Sequence, residues 1–498
     1  MHHLLKIRAF APTVATASKR SSRAALTPAA HRAFRSTVQQ GAIRASQRYP
    51  RPESDPRRFF ERSWTLSGQS QLERLKLRMP GVAFVSVADP QEEEEDGGVG
   101  NGDWIARIRV TSDSPEALAS IAVETRRCHR AAVFFAPAWS HQVPARGNLL
   151  TEIVLPRGWG EAGGMLRSLA TTGEGLVVVE DDVLAMHADP NAVVKLAAAH
   201  GSRLAVTATR DVDVSKLQIA AAALGRVDLR APNVVVSGKL DVAGAGAGSV
   251  HVQSLGYLRS PQLSVAIAGD GRVCVHAAER LTVERMRSVI AGAGSISVSV
   301  ADRGGSSKDP AAAASRLSAV VACKSHHIGV VGSGSVRCAD VATQQVAVGV
   351  AGHAHVVVDA TEELKVVSIG TACVQYPREA PSVAARGGWH SSEPHEVATV
   401  ALTDAEKSAE ERQREAELEE AAAFWRALPT RAAALEAAHQ VSFAGEWDES
   451  RSDRRWPGFW SSGSVRARSS VGSWGQAPWY SRSWGGKSWR RRSWPNRA

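Results

Sequence analysis

The residues best equipped for chemistry by type and spacing lie at the C-terminal end of the chain. Seven of the fourteen tryptophans fall in the last 43 residues. Trp456 and Trp460 come first, and Trp474, Trp479, Trp484, Trp489 and Trp494 follow at five-residue intervals. Tyr480, Arg482, Lys487, Arg490, Arg491 and Arg492 are interleaved with them. A five-residue period matches neither helix nor strand, so the rings share no single face. Poor in aliphatic side chains, this stretch should be disordered on its own. Arginine neutralises phosphate, and an indole stacks on an unstacked base for about 1–3 kcal/mol. The eleven residues from Trp474 to Trp494 named above are therefore candidates for contact with single-stranded RNA or DNA. Such contact would be tolerant of sequence and sensitive to salt. Two other readings stay open. The tryptophans could insert singly into pockets on a protein partner, with multivalency supplying affinity, or the stretch could be low complexity without function.

Catalytic and metal signatures are weaker. No HExxH, GxSxG, Walker A or CxxC spacing occurs. His326-His327 and His353-Ala-His355 are the close histidine pairs. The second lies on an alternating run, so both rings could share a face, but no nearby Cys or carboxylate completes a metal set. Gly244-Ala-Gly246-Ala-Gly248 lacks the Lys-Ser/Thr of a phosphate loop and leads into a strand, so it reads as a structural corner. Glu180-Asp181-Asp182 reads as a solvated turn. The expectation is a protein that is not an enzyme, with no catalytic residues, no metal and no cofactor.

Charge sharpens once divided along the chain. The net charge is +10. Residues 1–52 hold ten Lys/Arg and no acid, and residues 451–498 hold eleven Lys/Arg and one acid, Asp453. The middle is therefore −10, and attraction to phosphate belongs to the ends. The five cysteines are too few, and oddly numbered, for a disulfide scaffold. The longest apolar run, Ala131 to Trp139, is nine residues, far short of the roughly 20 a spanning helix needs.

Residues 1–52 are rich in Arg, Ala, Ser and Thr, with Glu53 the first acid. This composition predicts a mitochondrial presequence and a matrix location. A chloroplast-type transit peptide or a basic nucleic-acid-binding arm are the other readings. A cleavage point before Arg57 is expected.

The body repeats. Alternating apolar runs enter and leave small-residue corners, as in VVVSGKLDVAGAGAGSVHV (234–252), LSVAIAGDGRVCVHA (263–277) and RSVIAGAGSISVSV (287–300). The corner glycines are Gly246, Gly269, Gly292, Gly332, Gly352 and Gly370, at spacings of 23, 23, 40, 20 and 18. The 40-residue gap reads as two units, with a surface insertion at 302–315. Period-two alternation marks strands with one buried face, and a rung of this size can bury that face only by stacking on its neighbours. The fold class expected is mostly β, a parallel β-solenoid (β-helix) over residues 176–385, with a C-terminal α-helical segment and disordered termini. An antiparallel sandwich with glycine turns is the competing architecture. Residues 53–175 read as strands, for example 82–89, 104–112 and 150–156. They form either a β-rich N-terminal region or irregular opening rungs, interrupted by an acidic loop at 91–103.

The corners Gly269-Asp-Gly271, Gly292-Ala-Gly294 and Gly332-Ser-Gly334 resemble those of the auto-transporter adhesin head (GIN) domain, and VQYPREAPSV (374–383) looks like the close of such a domain. The resemblance implies a β-helical fold over about residues 175–385 and carries no catalytic residues with it.

Residues 399–440 form a charged helical segment. Strong helix formers fill 403–428. Thr403 is the expected N-cap, with Glu406 completing a capping box, and Pro429 is the stop. A second short helix is expected at 431–440. Leu418, Phe424, Trp425 and Leu428 are its apolar anchors, and it should cap the solenoid end or dock on a partner. Residues 441–498 are the basic Trp/Arg tail.

In overall make-up the chain is similar to non-catalytic subunits of trypanosomatid mitochondrial RNA-editing and processing complexes. The function expected is a non-catalytic RNA-binding subunit of a mitochondrial ribonucleoprotein. The solenoid would be its scaffold and the tail its contact with single-stranded RNA. The helical segment would meet other subunits, and no membrane would be involved. The alternative is a protein-interaction scaffold, or a mitoribosomal or assembly factor, whose tail docks on protein.

Overall fold

The computed structural model describes residues 43–48, 60–67, 72–88, 104–112, 115–126, 130–135, 149–156, 166–187, 191–300, 321–376, 382–387, 397–401 and 403–434. The acidic loop at 91–103, the insertion at 302–315 and the Trp/Arg tail with all eleven candidate RNA-contact residues lie outside these.

The alternating runs are the rungs of a parallel solenoid. A complete rung has three legs. In one rung, Val234 and Val236 face inward on the first leg, the chain bends at the exposed Ser237-Gly238, and Leu240 and Val242 face inward on the second. The corner at Gly246 then leads to a third leg, Ser249–Ser254, with Val250 and Val252 inside. Legs pair in parallel from rung to rung, so like stacks on like. Val227, Val250, Val273, Ile296 and Val336 form one continuous inner column. Parallel pairing of this kind excludes the antiparallel sandwich.

The six predicted corner glycines all adopt positive φ, from 67° at Gly246 to 132° at Gly292. They stack directly. A Cβ added to Gly332 would lie 2.5 Å from the carbonyl oxygen of Gly292. That pair also corrects the sequence reading of the 40-residue gap. Gly292 is in register with Gly332, so the gap is one rung, with the extra residues falling between the strands that end at Val300 and begin at Val321. Extra length in a loop costs little because closure entropy grows only slowly with length. The column continues backward through residues without glycine's freedom: Ala223 (φ 57°) pairs with Gly246, and His200 (φ 62°) stands at the equivalent corner before it.

The stack extends beyond residues 176–385. Arg74–Arg78 and Val82–Val87 pair in parallel with Ser168–Thr172 and Leu176–Val179. Leu149–Leu155 continues the third-leg wall beside Val82–Val87. Trp104–Ser112, Phe60–Ser67 and Ile43–Arg48 then follow as successive antiparallel neighbours. The described strands between Phe60 and Thr172 are thus opening rungs with antiparallel strands beside them, and they share one hydrophobic core with the solenoid, from Trp64 to Tyr376. The strand Ile43–Arg48 falls inside the stretch set aside as a presequence. At the other end, Ser382–Gly387 and Val397–Ala401 add parallel pairings after Tyr376.

Gly332→Ala should lower stability by about 2 kcal/mol or more, because it adds both left-handed strain and a backbone clash. Ala223→Gly, at the same corner one rung before Gly246, should be neutral or raise stability by about 1 kcal/mol, since alanine is disfavoured there. Denaturant midpoints of the two variants against the parent check the pair.

Candidate functional site: the wall beneath the acidic helix

Outward positions on the third legs are polar, and they stack as regularly as the core. Asp228, His251, Cys274, Ser297 and Arg337 form one column in register. Arg226, Ser249, Arg272, Ser295 and Ser335 form the next. His276 and Ser299 belong to a third, joined at 3.0 Å.

The helix Asp404–Arg426 lies along this wall. Its capping box forms as the sequence predicts: the Glu406 N–H donates to Thr403 Oγ1 at 3.3 Å, and the Thr403 N–H donates to Glu406 Oε2 at 2.8 Å. Of the two roles expected for it, capping the solenoid end or docking on a partner, the first is not what the helix does here: it lies along the side of the stack, and antiparallel strands stand at the N-terminal end. Its first turn meets the last complete rung, where Gln375 Nε2 donates to Glu406 Oε1 at 2.8 Å. Further along, Glu417 sits 3.6 Å from Arg337 and 4.0 Å from Cys274 Sγ. Glu420 bridges Arg226 and Arg272, each at 3.4 Å. Arg226 also lies over the Phe424 ring, 4.4 Å from its centroid. Arg414 pairs with Asp340 at 3.1 Å. From Glu406 to Phe424 the helix rises about 27 Å, and six rung steps from Gln375 to Arg226 cover about 29 Å. Beyond Pro429, the second helical turn begins at Arg431 as predicted, and Arg431 Nε donates to the buried Glu152 at 2.7 Å.

Apolar burial under the helix is slight. Ala421 is buried, while Leu418, Phe424, Trp425 and Leu428, the anchors expected from sequence, are half-buried. The attachment is mainly ionic, between acids on the helix and cations on the wall. A cavity of about 30 Å³ remains between them, lined by His251, Cys274, His276, Ser299, Glu417 and Leu418 among others. That is room for one water-sized occupant.

Asp228, His251 and Cys274 occupy successive rungs in the order of an acid–base–thiol relay, but their chemistry runs against one. Arg226 donates to both oxygens of Asp228, at 2.8 and 3.0 Å. Burial pushes the Asp228 carboxyl up against that pull. Burial, aided by Arg226 and Arg272, holds His251 down to about 3. Burial and the nearby Glu417 push the Cys274 thiol up to about 12. A nucleophilic cysteine needs the opposite arrangement. Sequence reading missed this column because its members are 23 residues apart and acquire meaning only once the rungs are in register.

The residues singled out from sequence fall elsewhere. His326 points into the core and is bonded to Ser288 at 3.0 Å, whereas His327 faces out. His353 and His355 share the outer face as the alternation suggested; His355 Nε2 bonds Gln375 Oε1 at 2.9 Å. Asp181 accepts from the Thr209 N–H at 2.6 Å and Asp182 pairs with Arg210, so the acidic cluster is a bonded turn. Gly244 to Gly248 is a solenoid corner. Among the described residues no group of three or more His, Cys, Asp or Glu converges as a metal site.

A second surface went unnoticed in the sequence. The outward side chains of the second legs form two columns of small apolar residues. One runs Ala170, Ala197, Ala220, Ala243, Ala266, Val289, Gly329, Gly349, and the other Thr172, Ala199, Ala222, Ala245, Ala268, Ala291, Val331, Ala351. The last rung adds Val367 and Ile369, 50% and 59% exposed. The result is a long, flat apolar face.

His251, His276 and His326 give a pH prediction. Burial holds them to about 3, 4 and 3, below the ordinary 6.5. In the unfolded chain they take protons as pH falls through 6.5, while the folded chain resists until pH 3–4. Their contribution is therefore fully present above pH 6.5 and is lost as pH falls, at roughly 1 kcal/mol per pH unit per histidine. Melting temperature should drop between pH 7 and 4, and His276→Gln should flatten that slope.

No family model and no curated protein matches the chain. Solved structures do. A putative adhesin from Parabacteroides merdae is 12% identical, with 69% of this chain and 96% of that one covered and a TM-score of 0.34. A putative adhesin from Parabacteroides distasonis is 13% identical, with 72% and 97% covered and a TM-score of 0.32. A putative lipid binding protein from the same species is 13% identical, with 69% and 97% covered and a TM-score of 0.31. At these identities and TM-scores the likeness carries no assignment, and the parallel β-solenoid rests on the chain's own strand pairings.

Proposed function

We propose that the chain is a non-catalytic, RNA-contacting subunit of a mitochondrial ribonucleoprotein, with the solenoid as rigid scaffold and the Trp/Arg tail as the contact. The observation that carries it is the pairing of indoles at five-residue intervals with a tail holding eleven Lys/Arg and one acid. The acid-free, Arg/Ala/Ser-rich residues ahead of the strand Ile43–Arg48 support the mitochondrial location, and RNA editing or processing is the setting that the overall make-up favours. The solenoid supports the scaffold role, since stacked rungs hold surfaces at fixed spacing. No helix among the described residues is long and apolar enough to cross a membrane.

Single-stranded RNA binding by the chain with and without residues 451–498 tests the reading, at about 50 and 200 mM salt. Affinity should fall steeply with salt and largely vanish on deletion. Binding that ignores both salt and deletion would refute it.

The flat apolar face favours a second reading, a protein-interaction scaffold whose first partner is another copy of itself. A flat sheet face complements its own twin across a two-fold axis. Nine rungs of two columns with their flanks would bury about 1,000 Å² between two copies, the threshold for a specific interface. Sedimentation should show a dimer that Ala243→Arg with Ala266→Arg converts to a monomer. A parent chain that is monomeric at micromolar concentration removes this reading.

A further inference from the structure

The tail is not the only cationic surface of the molecule. The third-leg wall carries Arg226, Arg272 and Arg337 on rungs two steps apart, with His251 and His276 between them. The acids on this wall are few: Asp228 is taken by Arg226, and Asp340 by Arg414. The helix brings further carboxylates to these arginines. Glu420 spans Arg226 and Arg272, and Glu417 reaches Arg337. The helix thus lays a line of carboxylates along a line of guanidinium groups.

Three features argue that this contact is reversible. Apolar burial beneath the helix is confined to Ala421 and half-buried neighbours. The Glu420–Arg272 pair is half-exposed, at 51% and 42%, so it is worth little alone and weakens with salt, while the Glu417–Arg337 pair is more enclosed, at 14% and 22%. The helix also has its own capping box and a run of strong helix formers, so it keeps part of its helicity on leaving, while its backbone, marginal without the wall, opens to proteases.

We propose that this wall is a second anion-binding surface for single-stranded RNA, and that the acidic helix occupies it as an internal mimic of the phosphate backbone. Phosphates displace Glu417 and Glu420 from the arginines, and the helix lifts away while remaining tethered through its flanking chain. RNA held first by the tail would raise the local phosphate concentration at the wall, so the tail starts the exchange and the wall completes it. The choice of RNA as the polyanion rests on the function proposed above. The mimicry itself rests on the ion pairs.

The test uses the full chain and an oligouridine of about 20 nucleotides. Glu417→Gln with Glu420→Gln should bind about tenfold more tightly. Its log K against log salt should be steeper by about 1.4, the value for the two arginines that lose a helix carboxylate while Arg226 stays on Asp228. Glu411→Gln with Glu415→Gln makes the same change in net charge on the exposed side of the helix, and should leave affinity nearly unchanged. Arg272→Gln with Arg337→Gln also loosens the helix but removes cations, and should show no gain. In the parent chain, RNA should accelerate tryptic cleavage at Arg412, within the helix. Equal gains from the two glutamate pairs, or RNA that leaves cleavage at Arg412 unchanged, would overturn the proposal. The tail reading fails separately: deletion of residues 451–498 would then leave parent binding intact, whereas under the present inference the Glu417/Glu420 variant retains binding after that deletion and the parent does not.

Discussion

Everything in this molecule hangs on one close approach, the stacking of backbone on backbone at the corner that ends each second leg. At Gly269, Gly292, Gly332, Gly352 and Gly370 a Cβ would lie within 2.7 Å of the carbonyl oxygen of the corner before it. That spacing leaves no room for a side chain, and the positive φ disfavours one as well. With the corners fixed, the legs fall into register. With the legs in register, the inner valines and leucines form unbroken columns that a single rung could not bury. The early corners show the limit of the rule. Ala223 and His200 hold the same backbone sign without glycine, at the end of the solenoid where antiparallel strands brace the first rungs.

The solenoid was legible in the sequence for a specific reason. Alternation reports a buried face and glycine reports a corner, and both signals are local. All six corner glycines named from the repeat have positive φ. The helix was legible too, down to its Thr403–Glu406 cap, because capping depends on residues three apart. Rung count was misread between Gly292 and Gly332, since an insertion and a missing corner leave the same gap. The N-terminal edge was drawn just past a glycine corner, Gly173-Glu-Gly175 with Gly173 at φ 108°, because the strands before it in the stack, Arg74–Arg78 and Val82–Val87, lie far earlier in the chain and break the period.

The polar wall and the apolar face were not legible for one shared reason. Their members sit 18 to 40 residues apart and become neighbours only through register. His251 reads alone as an ordinary histidine on a strand. Its neighbours Asp228 and Cys274, and the arginines beside them, make it part of a surface. The same holds for Ala220, Ala243 and Ala266, which look like compositional bias until they stack. In a repeat fold the surface is written across the period, and a reading along the chain sees only one letter of each word.

Each solenoid rung needs only its neighbours, so nothing in the stack itself fixes the number of rungs. This one carries a ruler along its side. The helix advances about 1.5 Å per residue while the stack advances about 4.8 Å per rung, so one rung corresponds to about three helical residues. Duplicating or deleting a single rung between Gln375 and Arg226 would slide Glu417 and Glu420 by about 4.8 Å along the wall, off their arginines. The length of the helix and the number of rungs beneath it are therefore matched, and the ion pairs hold only at that number.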